Sequence, residues 1–170
     1  MAWAVVTLGS NIRGPVYLPR AVAALAQMAR VARLSQVYET PPVGTAGPPF
    51  LNAAVLLALD LPAEDLRARL RAIEARLGRV RGADPNAPRT LDLDALLYRT
   101  PDGAEALVLN RREMGYAHAV VPAAEVAGHW VVEGRPLFRR AAAFAAQAQG
   151  FRPRVAVWSA MMAALSVNKE

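Results

Sequence analysis

The feature that most constrains the fold is the order in which strand-like and helix-like segments follow one another in the first 98 residues. Four segments are apolar or alternating and rich in β-forming residues: residues 3–8, 31–40, 50–61 and 90–98. Two segments between them have apolar residues at helical spacing, namely residues 15–29 and an amphipathic helix that begins at Pro62. The order β-α-β-β-α-β predicts an α+β fold, a ferredoxin-like sandwich in which helices pack on one face of an antiparallel sheet.

The remaining residues have a weaker pattern. A short strand is predicted over 107–109, a short helix over 122–128 and a longer helix over 135–149, whereas residues 153–165 fit a strand and a helix equally well. No internal repeat or low-complexity linker interrupts the chain. A length of 170 residues is typical of one domain with its own core, so a single domain over 1–170 is predicted.

The chain is basic, with a net charge of +6 that comes almost entirely from arginine. Arginine binds phosphate through two parallel hydrogen bonds, which indicates a phosphate-rich partner, either a nucleotide or a nucleic acid. A bias of the coding sequence toward alanine and arginine, with most of the arginines solvated, explains the same composition. Charge alone therefore leaves both interpretations open.

Several kinds of site are disfavoured by what the sequence lacks. There is no cysteine, and His118 and His129 are the only histidines, so neither a disulfide nor a zinc site is expected. Residues 9–14 have the glycine spacing of a phosphate-binding loop, but Pro15 and Val16 stand where lysine and serine or threonine are required. No apolar run reaches the roughly 20 residues of a membrane span or forms a signal peptide, so a cytoplasmic protein without a membrane partner is expected.

The segment Asp92-Leu93-Asp94 has the clearest chemical meaning. Side chains two positions apart on a strand point to the same face, so the two carboxylates would lie together while Leu91, Leu93 and Ala95 face the core. Aspartate is depleted in strands and like charges on one face repel, so a bound cation would make this arrangement favourable. Hard oxygen ligands suit magnesium. A solvent-facing edge strand with two incidental acids is the alternative.

The loop before this strand carries three arginines, Arg79, Arg81 and Arg89. Cations beside a carboxylate pair are typical of phosphoryl transfer, in which positioning and charge neutralisation provide most of the catalysis. A solvated loop without a ligand is the alternative interpretation.

Five motifs then follow one another at consistent spacing: Leu8-Gly9-Ser10-Asn11, Tyr38-Glu39-Thr40-Pro41-Pro42-Val43-Gly44, Phe50-Leu51-Asn52-Ala53, Glu74 with Gly78-Arg79-Val80-Arg81, and Pro88-Arg89-Thr90-Leu91-Asp92-Leu93-Asp94. In this order they resemble the 6-hydroxymethyl-7,8-dihydropterin pyrophosphokinases of the folate pathway. Each motif alone is weak, but five collinear motifs are specific. The resemblance covers most of residues 3–99 and fades after about residue 127.

The resemblance implies a role for each matching position. The metal ligands would be Asp92 and Asp94, which would hold two magnesium ions. ATP would be bound by the three loop arginines, Arg79, Arg81 and Arg89. The catalytic residues would be Arg79 and Arg89 together with Asp92 and Asp94. The pterin would be bound by five residues of the second and third motifs: Thr40, Pro41, Val43, Phe50 and Asn52.

The reaction that the resemblance implies is transfer of a diphosphate from ATP to a hydroxymethyl-dihydropterin, with AMP as the leaving group. Magnesium is the implied cofactor, and ATP and the pterin are the implied partners. A monomer without a nucleic-acid partner is expected. No covalent intermediate is needed, because the hydroxymethyl oxygen attacks the β-phosphorus directly.

The sequence departs from the family pattern at two places. A tryptophan that usually stands in the loop is replaced by Asn86, and the usual Pro-His after the last matched strand is replaced by Asn110-Arg111. Arg111, at the histidine position, is expected to bind phosphate, and Tyr116 is a candidate to replace a lost aromatic residue. These departures leave open a relative that acts on another pterin alcohol or binds without turnover. The charge also leaves open a nucleic-acid-binding module of the same fold.

Overall fold

The computed structural model describes residues 1–44, 46–84 and 87–167. The described residues form nine strands: β1 (Ala2–Ser10), β2 (Arg30–Leu34), β3 (Tyr38–Thr40), β4 (Phe50–Leu59), β5 (Asp92–Arg99), β6 (Leu107–Val108), β7 (Val131–Val132), β8 (Arg135–Pro136) and β9 (Arg152–Pro153). They also form six α-helices: α1 (Gly14–Met28), α2 (Ala63–Arg76), α3 (Ala117–Ala127), α4 (Leu137–Ala142), α5 (Ala145–Ala148) and α6 (Val155–Val167). A 3-10 turn over Glu113–Gly115 precedes α3.

The main sheet has the order β6-β5-β1-β4-β3-β9, and β2 pairs with β4 beside β3. Its named pairs are antiparallel, as expected from the sequence. The two long strands β1 and β4 lie at the centre because they are the most continuously apolar. In the register, Gly9 of β1 faces Asn52 of β4 on one side and Asp92 of β5 on the other. The central strand therefore brings two of the sequence motifs to one end of the sheet.

Both faces of the sheet are covered, whereas the sequence predicted helices on one face. Helices α1, α2 and α6 pack on the face to which Val6 and Leu8 point. The opposite face, which carries Val5, is covered by α3 and α4. The one-face prediction was wrong because the sequence pattern after residue 100 did not show which face its helices cover, and α3 buries Val120 and Val126 against the second face.

Three other predicted elements differ from the structure. The helix predicted over 135–149 is divided into α4 and α5. The strand predicted over 31–40 is divided into β2 and β3, because the Ser35 Oγ accepts a hydrogen bond from the Ala54 N–H at 2.8 Å and replaces a ladder contact. The helix predicted over 122–128 is α3, which begins at Ala117 and contains Pro122. The ambiguous segment 153–165 is mostly the helix α6. Among the described residues no helix combines the length and apolarity needed to cross a membrane.

Candidate functional site

The acid pair lies at the start of β5, on the strand predicted for it. Leu91, Leu93 and Ala95 are buried in the core, and the side chains between them, Asp92 and Asp94, are half-buried. The alternation of a half-buried strand thus places both carboxylates on one face, as the sequence predicted.

Asp92 is neutralised by two arginines, one on each carboxylate oxygen. The Arg79 guanidinium donates to Oδ1 at 2.7 Å, and the Arg89 guanidinium donates to Oδ2 at 3.3 Å. These contacts are charge-assisted and partly shielded from water, so they hold the Asp92 carboxylate in one orientation.

Asp94 has the opposite environment. The Asn110 amide donates to its Oδ1 at 3.3 Å, and among the described residues no arginine lies within ion-pair distance of it. Burial and the neighbouring negative charges of Asp92 and Glu113 raise the pKa of Asp94 to about 7. The structure therefore concentrates uncompensated negative charge at this carboxylate.

This environment fits a bound magnesium ion. A dication would offset the negative charge around Asp94, and the donor set consists of hard carboxylate oxygens. The described residues contain no group of three or more histidine, aspartate or glutamate side chains arranged to hold a metal. Magnesium does not need such a group, because it is commonly held by one or two carboxylates together with substrate phosphates. Asp92 and Asp94 are thus the residues that would hold it.

The buried acid Glu74 of α2 joins the arginine loop to β5. Its carboxylate contacts the Arg79 guanidinium, accepts from Arg81 Nη2 at 3.0 Å and accepts from the Leu93 N–H at 3.3 Å. Burial raises the pKa of Glu74, and the positive charges of Arg79 and Arg81 oppose that effect. Burial would lower the pKa of Arg79, but Asp92 and Glu74 outweigh it and raise that pKa.

Arg89 is positioned by the first motif, through a residue to which sequence reasoning assigned no role. The Arg89 N–H donates to the Asn11 Oδ1 at 2.7 Å, and the Asn11 N–H donates to the Arg89 carbonyl at 3.1 Å. The Arg89 guanidinium also lies 5.8 Å from the centre of the Phe50 ring, within cation–π range. Arg89 thereby connects the acid pair with the aromatic side of the site.

A cavity of about 490 Å³, the arginine cavity, opens between α2, the loop and β5. Its charged lining consists of five acids, Glu74, Asp84, Asp92, Asp94 and Glu113, and six arginines, Arg67, Arg71, Arg79, Arg81, Arg89 and Arg112. All three loop arginines that the sequence singled out are therefore present. Arginines beside a carboxylate pair match a polyanion that arrives with a metal.

A second cavity of about 130 Å³, the Phe50 cavity, lies on the other side of the acid pair. It is lined by all five residues predicted for the pterin: Thr40, Pro41, Val43, Phe50 and Asn52. Within it the Asn52 amide donates to the Thr40 Oγ1 at 2.6 Å, so the Asn52 Oδ1 stays available as an acceptor. A Cβ on Gly9 would approach this Oδ1 to 3.1 Å, so the motif's glycine provides the space that Asn52 occupies.

The two cavities share Asp92, Asp94, Arg89, Arg112 and Glu113. The acid pair is therefore located where ligands in the two cavities would meet. Transfer of a group between two bound substrates requires this kind of junction.

Sequence reasoning missed part of the Phe50 cavity, which is lined by residues of the 3-10 turn and the start of α3. The Tyr116 and His118 rings stack at 5.1 Å, and the His118 Nε2 lies 3.1 Å from the Glu113 Oε2. Tyr116, the candidate replacement for a lost aromatic, lies in this cavity, whereas Arg112, Glu113 and His118 were not singled out. Their spacing has no helical or strand period that would have marked them as one group.

Arg111 does not join the other predicted residues. Its side chain is 75% exposed and pairs with Glu133 at 2.7 Å, and it lines neither cavity. The neighbouring Arg112 lines both. The position of the usual tryptophan, Asn86, lies outside the described residues.

Comparison with solved structures supports this architecture. The chain resembles the HPPK-DHPS protein of Plasmodium falciparum with a TM-score of 0.65 and 11% sequence identity, over 88% of this chain and 45% of that one. The chain thus spans less than half the length of that protein. The likeness concerns the fold, and it confirms the predicted ferredoxin-like α+β class.

Sequence relatives and a family model identify the family. A protein of Synechocystis sp. named 2-amino-4-hydroxy-6-hydroxymethyldihydropteridine pyrophosphokinase is 40% identical over 134 residues, which cover 75% of this chain and 68% of the relative. A protein of the same name from Methylorubrum extorquens is 39% identical over 140 residues, covering 79% of this chain and 88% of the relative. The model of 7,8-dihydro-6-hydroxymethylpterin-pyrophosphokinase (HPPK) matches residues 5–128. With its acid pair, arginine loop and two adjoining cavities, the chain belongs to the HPPK family.

Proposed function

We propose that this chain transfers the terminal diphosphate of ATP to the hydroxymethyl group of 6-hydroxymethyl-7,8-dihydropterin at the junction of its two cavities. The observation that carries the proposal is the position of Asp92 and Asp94, which line both cavities. An ATP in the arginine cavity and a pterin in the Phe50 cavity would place their reacting groups beside the same two carboxylates.

Family membership bears on two predictions from the sequence. It confirms the HPPK family and the enzyme class, an ATP-dependent diphosphotransferase. It also makes the nucleic-acid-binding alternative unnecessary as an explanation of the +6 charge, because the arginines of the arginine cavity suit a nucleotide. A single domain, a monomer, a cytoplasmic location and the number of magnesium ions stay predictions.

The arginine cavity would hold the triphosphate. Arg81 and Arg112 are exposed and line the arginine cavity together with the acid pair, and Arg89 lines both cavities. Each presents planar donors that match phosphate oxygens. Arg79 would act mainly by holding Asp92, because its side chain is 10% exposed and contacts protein acceptors.

Asp92 and Asp94 would hold magnesium, with phosphate oxygens of ATP completing the coordination. Bound magnesium would neutralise charge on the phosphates and orient them toward the acceptor. The protein prepares this role by fixing the Asp92 carboxylate with two arginines and the Asp94 carboxylate with Asn110.

The Phe50 cavity would orient the pterin. Phe50 offers a ring face, and the Asn52 Oδ1 and the Thr40 backbone offer partners for the donor and acceptor edge of the pterin. With the pterin so oriented, its hydroxymethyl oxygen forms a bond to the β-phosphorus. The bond between the β-phosphorus and the oxygen bridging it to the α-phosphorus breaks, the hydroxymethyl proton is lost to solvent, and AMP leaves.

The decisive experiment separates the products formed from ATP and 6-hydroxymethyl-7,8-dihydropterin with magnesium. The proposal expects AMP and a pterin diphosphate in equal amounts from the native chain, and neither product from Asp92→Ala. Asp102→Ala removes an exposed acid outside both cavities and serves as the matched control. ADP as the product, or full activity of Asp92→Ala, would contradict the proposal.

A second candidate substrate is favoured by one observation. The Phe50 cavity has a polar wall formed by Glu113 and His118, which could accept a pterin alcohol with additional hydrogen-bonding groups. Measuring kcat/KM for a panel of pterin alcohols tests this alternative. A preference for the unsubstituted hydroxymethyl compound would exclude it.

A further inference from the structure

Glu74 is the most buried charged side chain of the site, and it lines the arginine cavity but not the Phe50 cavity. Its side chain is 3% exposed on α2, and its carboxylate is shared by Arg79, Arg81 and the Leu93 N–H. A buried carboxylate is tolerated only when it is paired and hydrogen-bonded, and Glu74 meets both conditions. The Leu93 N–H lies between the two aspartates in sequence, so Glu74 is connected directly to the strand that carries them.

The end of α2 explains why Arg79 reaches Glu74. Gly78 adopts a φ of 85°, and the chain turns back so that the Arg79 N–H donates to the Glu74 carbonyl at 3.1 Å and the Gly78 N–H donates to the Ala75 carbonyl at 3.2 Å. This is the hydrogen-bond pattern of a Schellman motif, for which glycine is the preferred residue. The motif sends Arg79 toward β5 instead of into solvent.

Arg79 and Arg81 differ in how firmly the protein holds them. Arg79 is nearly buried and contacts two carboxylates and one carbonyl, those of Glu74, Asp92 and Leu91. Arg81 is 56% exposed, and Glu74 is its ion-pair partner among the residues that the structure describes. An incoming phosphate can therefore take Arg81 at small cost, whereas taking Arg79 would remove a cation from two partly shielded carboxylates at once, Glu74 and Asp92.

We propose that Glu74 is a positioning residue that fixes Arg79 against Asp92 and holds Arg81 at the cavity wall until a nucleotide phosphate replaces Glu74 as its partner. This inference rests on the proposed function, since it assigns the nucleotide as the ligand that Arg81 receives. Glu74 divides the positive charge of Arg79 between two carboxylates, so Asp92 keeps part of its negative charge for a metal. Without that division, Arg79 pairs with Asp92 alone and competes with the metal.

Glu74→Gln tests this role because it keeps the size of the side chain and an acceptor for the Leu93 N–H but removes the charge. We expect kcat for AMP formation to fall by about 10- to 100-fold, the range seen when partners of metal ligands are removed. The KM for ATP should not rise, because Arg81 is freed for phosphate. Calorimetry with magnesium and the α,β-methylene analogue of ATP should still give one site per chain, whereas a folding defect would lower that number.

Arg81→Ala is the second variant, and it alters an exposed side chain that is not needed for folding. We expect the KM for ATP and the Kd of the analogue to rise by about tenfold, the loss of one charge-assisted hydrogen bond, with kcat within about threefold. Glu64→Gln on the exposed first turn of α2 is the matched control for Glu74 and should leave both constants unchanged.

The outcomes separate this inference from the proposed function. A native chain that forms no AMP from ATP and the pterin contradicts the proposed function. In that case calorimetry with magnesium and the ATP analogue still tests the role of Glu74 in nucleotide binding. A Glu74→Gln variant with the kcat of the native chain overturns the positioning role, whether or not its KM for ATP rises. An Arg81→Ala variant that binds the analogue with native affinity overturns the exchange of Arg81 from Glu74 to phosphate.

Discussion

The arginine cavity and the Phe50 cavity share the acid pair but are built on different physical principles. The arginine cavity is large, about 490 Å³, and its shape depends on ion pairs between a loop and β5. The Phe50 cavity is small, about 130 Å³, and its wall is formed by β3, β4 and the start of α3. One side suits a flexible polyanion and the other a flat heterocycle.

This difference shows where specificity and catalytic charge are expected to reside. Under the proposed function, the Asn52 Oδ1, whose amide is held by Thr40, would discriminate one ring from another because an unmatched buried polar group is costly. The arginine side neutralises charge and tolerates rearrangement, because each phosphate can replace a protein carboxylate as a partner. Variants in the two cavities should therefore change different kinetic constants.

The largest loss of activity is expected for a substitution at the acid pair, which lines both cavities. Asp94→Asn keeps the hydrogen-bonding shape of the side chain but removes a charged metal ligand, so the rate of AMP formation should fall by about 1,000-fold or more. Steady-state assays with saturating substrates measure this loss. Pterin binding, measured by fluorescence titration without nucleotide, should change far less, because the proposed pterin contacts are made by Thr40, Phe50 and Asn52 and not by Asp94. Loss of both to a similar degree would argue against separate cavities.

The same variant should stabilise the metal-free protein. The pKa of Asp94 is raised from 3.8 to about 7, so between these values the native state binds more protons than the unfolded state. The contribution of Asp94 to the free energy of unfolding is therefore greatest below pH 4 and is lost as the pH rises through about 7. At pH 8 without metal, Asp94→Asn should be more stable than the native chain by roughly 2 kcal/mol.

Urea unfolding of both proteins in a chelator across pH 4–8 measures this difference. The gap should widen as the pH rises and close when magnesium and nucleotide are added. A gap that is constant across this range would show that the carboxylate is not destabilised in the native state.

A change in the Phe50 cavity should affect the pterin alone. Asn52→Ala removes the Oδ1 acceptor and leaves the buried Thr40 Oγ1 without its donor, so the KM for the pterin should rise by about 30-fold, equivalent to about 2 kcal/mol. The KM for ATP should stay within about twofold. Gln27→Ala removes an exposed amide on α1 outside both cavities and is the control, so it should leave both KM values unchanged. Equal increases in both KM values would contradict the separation of the two cavities.

The smallest change in kinetic constants is expected for substitutions of two adjacent arginines, Arg112 and Arg111. Arg112 lines both cavities, so Arg112→Ala should lower kcat/KM for ATP by about tenfold, the loss of one charge-assisted hydrogen bond. Arg111 pairs with Glu133 on an exposed surface, so Arg111→Ala should change kcat/KM by less than about twofold. Initial rates at low ATP concentration measure both. The reverse ranking would restore the role that the family resemblance gave to Arg111.

Much of the site was predictable because it depends on short segments. The alternation of Asp92 and Asp94 with buried leucines follows from the two-residue period of a strand, and the structure places both carboxylates on one face. The loop arginines lie within a dozen residues of that strand. The five residues that the family resemblance implied for the pterin lie on the paired strands β3 and β4 and in the segment that follows β3. A local pattern was enough to group the acid pair and the loop arginines, whereas the pterin group came from the resemblance.

The contacts that complete the site depend on distant parts of the chain. Asn11 holds the backbone of Arg89 across 78 positions, and Glu74 contacts the strand of the acid pair. Arg112 replaces Arg111 in the cavities although the two are adjacent, because the 3-10 turn at Glu113–Gly115 directs them to different sides. None of these contacts or placements produces a periodic pattern in the sequence.

The sequence by itself determined the strand and helix order of the first 98 residues, the acid pair and the basic loop, because side-chain periodicity and turn chemistry act over a few residues. The tertiary structure decided which distant side chains meet. The register that places Gly9 between Asn52 and Asp92 joins the two cavities, and the Schellman turn at Gly78 brings Arg79 to Glu74. Such contacts between distant residues depend on sheet order and on the burial of whole elements, which are properties of the packed chain.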